Sequence, residues 1–516
     1  MAEVAVDERR LLKTLRWYDG FVIGLANPGF LLIGLAFSIG ALGGTVAAIL
    51  WTISGLIGSL QAYVYAEPAA MFPDKPGGLS VYAREGWRKY FSLAGPIAVF
   101  GYWFAWSSVL AVYGGFIGLL IFTEFFPGSD PFEVIASLGF LPDITWPRLI
   151  GLAAIIACYV FNIRGMRPAM WFSYAVGALM LLPVIAIAIG PFLSGDFGNN
   201  PITSAGIMEG TLDFYGFSTG TWGKFILIMT WLYVIGWSSY GPESAATFAP
   251  EFKDTKNDTR KALAANGILN AVLALLLPLT VVATIGYDAI VGDLTGVVYL
   301  VEVMHLIVGN AVGTLLTLCL CAGLLLSMNT ATMDGSRALY ALAEEGMTIK
   351  QLAVLNHHNV PARAMTVDMV LNVVLLFVFP SIFFILAAGN LGYMLSHVLA
   401  LSGVLLLRKD RPTWPRPIKL APIWMALAAA FAVANLAFIV FGLIGLPMTG
   451  YAWDFAFTDP RAFTSRIIVV GALALVAGVV GYVIALRQHG KPFKMSDPSN
   501  EQPSQEAIET AAAVAR

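Results

Sequence analysis

Residues 237–244 combine side chains that could bind a small solute inside an apolar environment. They read WSSYGPES and lie within an otherwise apolar run from about residue 226 to 248. Gly241 and Pro242 are poor helix formers, and Glu243 places a carboxyl where a charge is costly. Non-helical backbone persists at membrane depth only inside protein or along a cavity, where its free amides and carbonyls can bind ligands. The stretch therefore predicts either a ligand site in a broken helix or a Gly-Pro kink with a hydrogen-bonded glutamate.

A second set of helix-breaking residues lies near the middle of the first apolar run. Asn27, Pro28 and Gly29 follow one another there, in a segment that is rich in glycine. Glycines alone could serve as a packing face that lets neighbouring helices approach closely, but such a face does not require Pro28. The run therefore predicts a break in the first helix that leaves backbone groups without helical partners.

Several titratable residues could move protons or close a gate. A carboxyl removed from water resists ionisation, so Glu243 could take up a proton outside and release it inside. His397 is the histidine predicted within a span, and an imidazole suits proton handling, although a hydrogen-bonded core histidine is the alternative. Asp19, Asp334 and Arg337 could form a cytoplasmic gate network, although each also fits ordinary helix-end electrostatics.

The composition assigns the chain to the polytopic membrane proteins. Of its 516 residues, 58% are hydrophobic and only 12% are charged, against roughly 25% charged in soluble proteins. Mean hydropathy is +0.76. The net charge of −2 and the absence of a separate basic block argue against nucleic acid as a partner. We find no HExxH or Walker-type sequence, so we expect neither an enzyme nor a bound cofactor or metal. The N-terminus lacks the pattern of a removable signal peptide.

Apolar windows long enough to span a bilayer occur twelve times along the chain. They predict an all-α protein with twelve transmembrane helices. The windows lie at about 17–42, 45–72, 93–123, 147–165, 168–192, 222–247, 263–286, 308–343, 366–386, 388–407, 422–446 and 463–487.

The lysines and arginines predict the orientation of these helices. If the N-terminus is cytoplasmic, 26 of the 30 basic residues fall on the cytoplasmic side. Cytoplasmic loops of membrane proteins carry such an excess, and a wrong helix count would scramble it. We therefore expect a multi-pass protein of the cell membrane with both termini in the cytoplasm.

The two predicted breaks fall in the first and the sixth helix, which indicates an internal repeat. Interrupted segments at corresponding positions of two halves point to a transporter site. Five helices per half is an odd number, so the second half would be inverted in the membrane. The predicted organisation is a cytoplasmic tail at 1–16, a first repeat at 17–192, an inverted second repeat at 222–407, two extra helices at 422–487 and a disordered tail at 491–516.

Five short stretches at helix ends resemble the amino acid, polyamine and organocation permease superfamily. Each is weak alone, but all five occur in the superfamily's order. The stretches are Tyr65-Ala66-Glu67 with Pro73, Gly77-Gly78 and Tyr82; Phe161-Asn162-Ile163-Arg164-Gly165; Gly241-Pro242-Glu243 with Glu251, Lys253 and Asp254; Ser336-Arg337 with Tyr340-Ala341-Leu342-Ala343 and Gly346; and Leu407-Arg408-Lys409 with Pro412, Arg416 and Pro417.

The resemblance implies a LeuT-like fold, in which substrate is held between unwound helices 1 and 6. In such proteins, amides near the helix 1 break hold an amino acid's carboxylate, and carbonyls of both helices hold its ammonium group. Trp237 matches an aromatic residue that closes over the ligand as a gate. The other substrate contacts implied by the resemblance are Ala26, Asn27, Gly29, Phe30, Gly236, Ser238, Ser239, Tyr240 and Gly241.

Three departures from the superfamily pattern bear on substrate and coupling ion. A Gly-Ser-Gly type run is replaced at Asn27, which alters the carboxylate cradle, and Pro242 removes a backbone donor. The lysine that many proton-coupled members carry in helix 5 corresponds to Met180. A proton or sodium therefore stays open as the coupling ion.

These observations predict a secondary active transporter for an amino acid or a related amine-bearing solute, working by symport or exchange. The neutral side chains at the predicted site favour a mid-sized neutral amino acid. The alternative substrates are polyamines and other organic amines. A non-transporting membrane protein that senses the same ligand is the alternative from another class. Membrane lipid is an expected partner, and the oligomeric state is left open.

Overall fold

The described part of the chain is built from α-helices joined by short loops and 3₁₀ turns. The computed structural model describes residues 13–75, 77–137, 143–292, 298–378, 382–449, 460–497 and 502–515. The helices are α1 (Trp17–Gly24), α2 (Asn27–Leu42), α3 (Gly44–Val64), α4 (Ala66–Met71), α5 (Leu79–Trp87), α6 (Ala94–Ser107), α7 (Val109–Phe125), α8 (Trp146–Ile163), α9 (Met166–Ser194), α10 (Ile207–Phe214), α11 (Thr221–Ser239), α12 (Ser244–Thr247), α13 (Thr255–Ile285), α14 (Tyr287–Gly292), α15 (Tyr299–Val308), α16 (Asn310–Glu344), α17 (Ala362–Val378), α18 (Ile382–Asp410), α19 (Pro422–Gly445), α20 (Pro460–Gln488) and α21 (Gln505–Ala515).

Within the described ranges, nine helical segments are long and apolar enough to cross a bilayer. They coincide with nine of the twelve predicted windows. The other three windows correspond to α1 with α2, to α11 and to α17, so the count of twelve stays a prediction. The nine segments are Gly44–Met71, Ala94–Phe125, Trp146–Ile163, Met166–Ser194, Thr255–Ile285, Asn310–Glu344, Phe384–Asp410, Pro422–Thr449 and Thr464–Gln488.

Many large apolar side chains on these helices point away from the protein. Ile185 on α9, Ile268 on α13, Val433 on α19 and Leu473 on α20 are each at least half exposed. An aqueous protein rarely leaves so many large apolar groups uncovered, whereas hydrocarbon would surround them without cost. The outer faces of these helices therefore suit contact with lipid.

The first predicted break occurs two residues earlier than the sequence indicates. Helix α1 ends at Gly24. The next two residues, Leu25 and Ala26, form a turn, and α2 begins at Asn27. Pro28 lies in the first turn of α2, where its missing N–H would have no helical partner in any case. The proline therefore starts the second helix, and the break lies before it.

The sixth predicted span is interrupted where Gly241 and Pro242 occur. Helix α11 ends at Ser239 and is followed by the 3₁₀ turn Gly241–Glu243, the short helix α12 and the 3₁₀ turn Ala249–Glu251. Regular helix resumes at α13, after the Asp254 side chain accepts a hydrogen bond from Asn257 N at 3.0 Å. We call residues 240–252 the helix 6 break, after the sixth predicted span, and all of them are buried.

The chain just before α1 is fastened to the far end of the helix 6 break. Leu15 N donates to Glu251 O at 2.9 Å, and Lys253 N donates to Leu15 O at 2.8 Å. The two bonds form an isolated parallel β-bridge between Leu15 and Phe252. The two interrupted segments are therefore tied together outside their helices as well as within the bundle.

Helices α6 and α18 cross with their backbones in contact. A Cβ built on Gly101 of α6 would lie 2.5 Å from the Gly392 carbonyl oxygen of α18. No side chain fits there, so only glycine permits the crossing. Trp106 lies on α6 and Tyr393 on α18. The close approach of the two helices brings both side chains to one cavity.

The tail that the sequence predicts to be disordered carries structure in its described residues. Ser92 N donates to Met495 O at 2.8 Å, and Arg88 pairs with Asp497 at 2.9 Å. Helix α21 follows at Gln505–Ala515. A polar tail cannot bury a core of its own, but the loop between α5 and α6 supplies hydrogen-bond partners that sequence composition does not reveal.

Candidate functional site

Ser239, at the end of α11, is held by two neighbouring helices. Its hydroxyl lies 2.6 Å from the Ser54 hydroxyl of α3, and its carbonyl accepts a hydrogen bond from Asn270 of α13 at 3.0 Å. Asn270 also donates to the Gly55 carbonyl at 3.1 Å. The polar groups where α11 stops are therefore satisfied by protein, and they fix where the helix 6 break begins.

The carbonyl groups beside the break in the first helix are likewise engaged by helix α16. The Ser327 hydroxyl donates to Ala26 O at 2.9 Å, and the Thr330 hydroxyl donates to Ile23 O at 3.2 Å. Ala26, a predicted substrate contact, is buried there. Two hydroxyls of α16 thus bond to backbone carbonyls near the end of α1.

The remaining predicted contacts in the first helix lie at the start of α2. Asn27, Gly29 and Phe30 belong to the first turn of α2, but their side chains lie outside the described part of the chain. The backbone places all three at a helix N-terminus, which is a site suited to anions. Their contacts with a carboxylate stay a prediction.

A cavity opens beside Trp237 on the other face of α11. It encloses about 200 Å³, including the open space at its mouth. Trp237 itself packs edge-on against Tyr113, with the ring centroids 6.0 Å apart. The lining residues are Ala105, Trp106, Val109, Trp237 and Tyr393. The lining is aromatic and apolar, so the cavity suits an uncharged side chain or the face-on approach of a cation.

Glu243 lies fully buried next to this cavity. Tyr393 donates its hydroxyl to Glu243 Oε1 at 2.5 Å, and Trp106 lies beside the same carboxyl. Both aromatic residues also line the cavity. The carboxyl that the sequence places at the break is therefore one side chain away from the space in which a ligand could sit.

The other predicted substrate contacts on α11 are all buried around the same point. Gly236 packs against Met394 of α18, and Ser238 lies near Gly34 of α2. Tyr240 stacks edge-on against the His397 ring, with centroids 5.2 Å apart. The predicted set therefore surrounds α11, and only Trp237 of these residues lines the cavity.

His397 occupies a closed aromatic pocket behind Tyr393. Its Nδ1 lies 2.8 Å from the Tyr65 hydroxyl, and its ring lies 4.9 Å from that of Tyr393. No hydrogen bond joins it to Glu243 within the described residues. This environment fits the hydrogen-bonded core histidine that the sequence left open as an alternative.

The three candidate gate residues have different partners. Asp19 accepts hydrogen bonds from Tyr174 and from Arg16 N. Asp334 accepts one from Tyr102 at 2.6 Å. In the described part of the chain, no hydrogen bond joins Asp19, Asp334 and Arg337 to one another.

Arg337 instead forms a buried ion pair with Glu251, at the end of the helix 6 break. Its Nε and Nη2 both donate to that carboxylate, and its Nη1 donates to Met333 O at 2.9 Å. Both partners are at most 3% exposed. A pair so deeply buried must remain matched, because removing either partner leaves an uncompensated charge. A gate role for Arg337 stays a prediction.

Comparison with known proteins assigns the chain to a family. Residues 20–488 match the amino acid permease family. The chain belongs to this family. The family match and the apolar helices together identify the protein as a multi-pass transmembrane permease. They indicate a transporter rather than an enzyme.

Two relatives resemble the permease over most of their length. It is 24% identical over 454 residues to the branched-chain amino acid permease BcaP of Lactococcus lactis subsp. cremoris (strain MG1363). This alignment covers 81% of this chain and 89% of the relative. It is 22% identical over 422 residues to solute carrier family 7 member 12 of Mus musculus, which covers 80% of this chain and 82% of the relative.

Sequence reasoning missed the aromatic residues that connect the permease's cavity to Glu243. Trp106 lies in an aromatic run of α6, and Tyr393 lies one helical turn before His397 on α18. The spacing of Tyr393 and His397 predicts that both face the same side of α18. Nothing in the sequence, however, indicates that this side faces Glu243, which is 150 residues away along the chain.

Proposed function

We propose that this permease carries a mid-sized neutral amino acid, or a close derivative, across the cell membrane by alternating access coupled to protons. The observation that carries the proposal is the wall shared by the cavity and Glu243, which Trp106 and Tyr393 form. A ligand in the cavity and a proton on the carboxyl would then influence one another through two rings. Proton movement and substrate movement could be coupled at this point.

The proposed architecture has twelve spans, with both termini in the cytoplasm. The repeats at 17–192 and 222–407 would be inverted relative to each other, and 422–487 would lie outside them. Support comes from the nine spans that coincide with predicted windows and from the two interruptions, one in each half. In this arrangement, substrate lies between the ends of α1, α2 and α11.

The character of the site supports a neutral substrate. The residues that line the cavity, Ala105, Trp106, Val109, Trp237 and Tyr393, are all uncharged. The N-terminus of α2 could receive a carboxylate and the C-terminus of α1 an ammonium group, as helix dipoles favour. The name of the bacterial relative agrees with an apolar side chain in the cavity.

An organic amine is the second candidate substrate, because of the same residues. Trp106, Trp237 and Tyr393 present aromatic rings, and Glu243 supplies the one carboxyl beside them. Rings with a nearby carboxylate are the chemistry that recognises alkylammonium groups. A thermal-shift screen of the purified permease against amino acids and amines separates the two candidates, since a true ligand stabilises the folded state.

Uptake into proteoliposomes tests the coupling role of Glu243. Glu243→Gln should mimic the protonated carboxyl, so uptake should become insensitive to an imposed pH gradient while exchange of internal for external substrate persists. Glu124→Gln is a matched control. The Glu124 side chain is also buried, but it lies at the end of α7, where it accepts a hydrogen bond from Thr314 of α16. An unchanged gradient response in Glu243→Gln would remove Glu243 from the mechanism. No uptake or exchange of any candidate by the wild type would favour a ligand sensor.

Sodium is the alternative coupling ion. The hydroxyls of Ser327 and Thr330 and the carbonyls of Ile23 and Ala26 provide oxygen atoms, which are the ligands that hard cations prefer. Among the described residues, no group of three or more His, Cys, Asp or Glu side chains could hold a metal ion. Replacing external sodium by potassium decides the question, because a proton-coupled permease should keep its full rate.

A further inference from the structure

Three carboxyl groups lie buried within the helical bundle near the helix 6 break. Glu243, Asp334 and Asp368 are each at most 1% exposed. Adjacent residues of α6 bond to two of them: Tyr102 donates its hydroxyl to Asp334 Oδ2 at 2.6 Å, and Trp103 donates its indole N–H to Asp368. Proton coupling through Glu243 leaves the other two carboxyls without an assigned role.

Asp334 and Glu243 each accept a hydrogen bond from a tyrosine, and the two tyrosines are neighbours. The two carboxyls lie within electrostatic range of each other, and both interact with Tyr102. The Tyr102 ring lies 5.9 Å from that of Tyr393, which donates to Glu243. Tyrosine hydroxyls can accept one proton while donating another, so they can link two carboxyls.

Few groups are available to balance a negative charge on Asp334. Tyr102 of α6 and Thr247 of α12 face it as neutral hydroxyls, and Glu243 and Asp368 face it as carboxyls. The cation on its own helix is Arg337, one turn further along. Asp334 forms no ion pair within the described residues, because Arg337 donates to Glu251 and to a backbone carbonyl.

Two neighbouring carboxylates are costly to ionise together in a buried site. Each charge would lack water, and each would repel the other. A proton on either Glu243 or Asp334 would relieve this repulsion. Asp368 differs in this respect, since its tryptophan donor does not connect it to Glu243.

We propose that Asp334 is a second proton-carrying residue of the permease, which receives a proton from Glu243 through the Tyr102 hydroxyl. In this structure the Tyr102 hydroxyl bonds to Asp334 and not to Glu243, so the step requires it to come within hydrogen-bond distance of Glu243 while keeping its bond to Asp334. Glu243 then loses its proton to the Tyr102 oxygen while the Tyr102 proton moves to Asp334 Oδ2. One O–H bond breaks and one forms at the tyrosine, which stays neutral; Glu243 becomes anionic and Asp334 neutral. The inference rests on the proposed coupling of transport to protons through Glu243.

The test compares gradient-driven uptake with exchange in proteoliposomes. Exchange of internal for external substrate at equal pH needs no net proton transfer, whereas net uptake along a pH gradient does. Asp334→Asn should lower gradient-driven uptake by at least about tenfold, the smaller end of what a positioned proton-transfer group contributes, and should change exchange by less than about twofold. Proton entry, followed with an enclosed pH-sensitive dye, should fall in parallel.

Two further variants keep the test decisive. Tyr102→Phe keeps the ring and removes the bridging hydroxyl, so it should reproduce the selective loss even if Asp334→Asn does not reconstitute. Asp368→Asn is the matched control, because it replaces another buried aspartate with an aromatic donor from the same helix. It should leave the ratio of gradient-driven uptake to exchange unchanged.

Equal losses of uptake and exchange in Asp334→Asn, or an equal selective loss in Asp368→Asn, would overturn the inference. A full gradient response in both Asp334→Asn and Tyr102→Phe would also overturn the inference. If Glu243→Gln is then insensitive to the gradient, Glu243 remains the coupling residue. A wild-type permease without any gradient response would instead refute the proposed coupling, and the role of Asp334 with it.

Discussion

Replacing Glu85 by glutamine is expected to remove a pH-dependent part of the permease's stability. Glu85 lies on α5, outside the candidate membrane spans, and its side chain is fully buried. Its carboxylate accepts hydrogen bonds from Lys75 at 2.9 Å, Arg84 at 3.0 Å and Arg411 at 2.7 Å. Arg84 also pairs with Glu345, beyond the end of α16. One carboxylate thus connects α5 to the loop after α18 and, through Arg84, to the end of α16.

The structure sets the size and sign of the effect. Burial alone would raise the pKa of Glu85, but Arg84, Lys75 and Arg411 outweigh it and lower the pKa from 4.5 to about 2. This difference corresponds to on the order of 3 kcal/mol of stability at neutral pH. Because the folded state has the lower pKa, the contribution is complete above about pH 4.5 and is lost as the pH falls towards 2. About 2 kcal/mol should be lost by pH 3.

Chemical unfolding in detergent at several pH values measures this contribution. Glu85→Gln should be less stable than the wild type at pH 7, and the difference should shrink below pH 4.5. Glu209→Gln is the control: Lys224 hydrogen-bonds to Glu209 and lowers its pKa, but the pair is exposed to solvent, which screens it. A deficit of Glu85→Gln that stays constant from pH 7 to pH 3 would refute the electrostatic reasoning, as would equal stabilities at pH 7.

Three further outcomes are expected. Trp237→Ala should raise the KM for uptake by roughly tenfold or more with normal expression, because a buried ring over a ligand contributes at least about 1.4 kcal/mol; wild-type kinetics would place the ligand elsewhere. His397→Gln should keep the pH-gradient response of uptake, because Tyr65 already engages the imidazole; loss of that response with exchange intact would make His397 a proton carrier. A cysteine at Asp130 should react with an impermeant maleimide in intact cells, whereas tags at both termini should be inaccessible; external access to both tags would exclude the proposed orientation.

The hydropathy of the sequence predicted most of the membrane architecture. Nine windows coincide with helices because a span requires a long apolar run, which is a local property of the chain. Gly241 and Pro242 likewise indicated where α11 ends, since neither residue continues a helix. Pro28 was harder to interpret, because a proline can lie within a break or begin the helix that follows it. The resemblance to amino acid permeases was confirmed by the family match.

The contacts that define the site could not be predicted from one sequence. Tyr393 bonds to Glu243 across 150 residues, and Arg337 pairs with Glu251 across 86. Such partners depend on which helix faces meet, and an apolar run gives little sign of that. The roles expected for Asn27, Gly29 and Phe30 stay predictions.

The bridge between Leu15 and Phe252 has a consequence for how the permease is made. Its two residues are far apart in the sequence, so the bridge cannot form until the ribosome has synthesised the chain through Lys253, whose N–H completes it. Until then, the segment before α1 must remain unattached to residue 252. A cellular factor that recognises this segment would have access to a nascent or truncated permease but not to the finished one. Trapped translation intermediates of defined length, probed with a protease at the N-terminus, should become resistant only once the exposed chain includes Lys253.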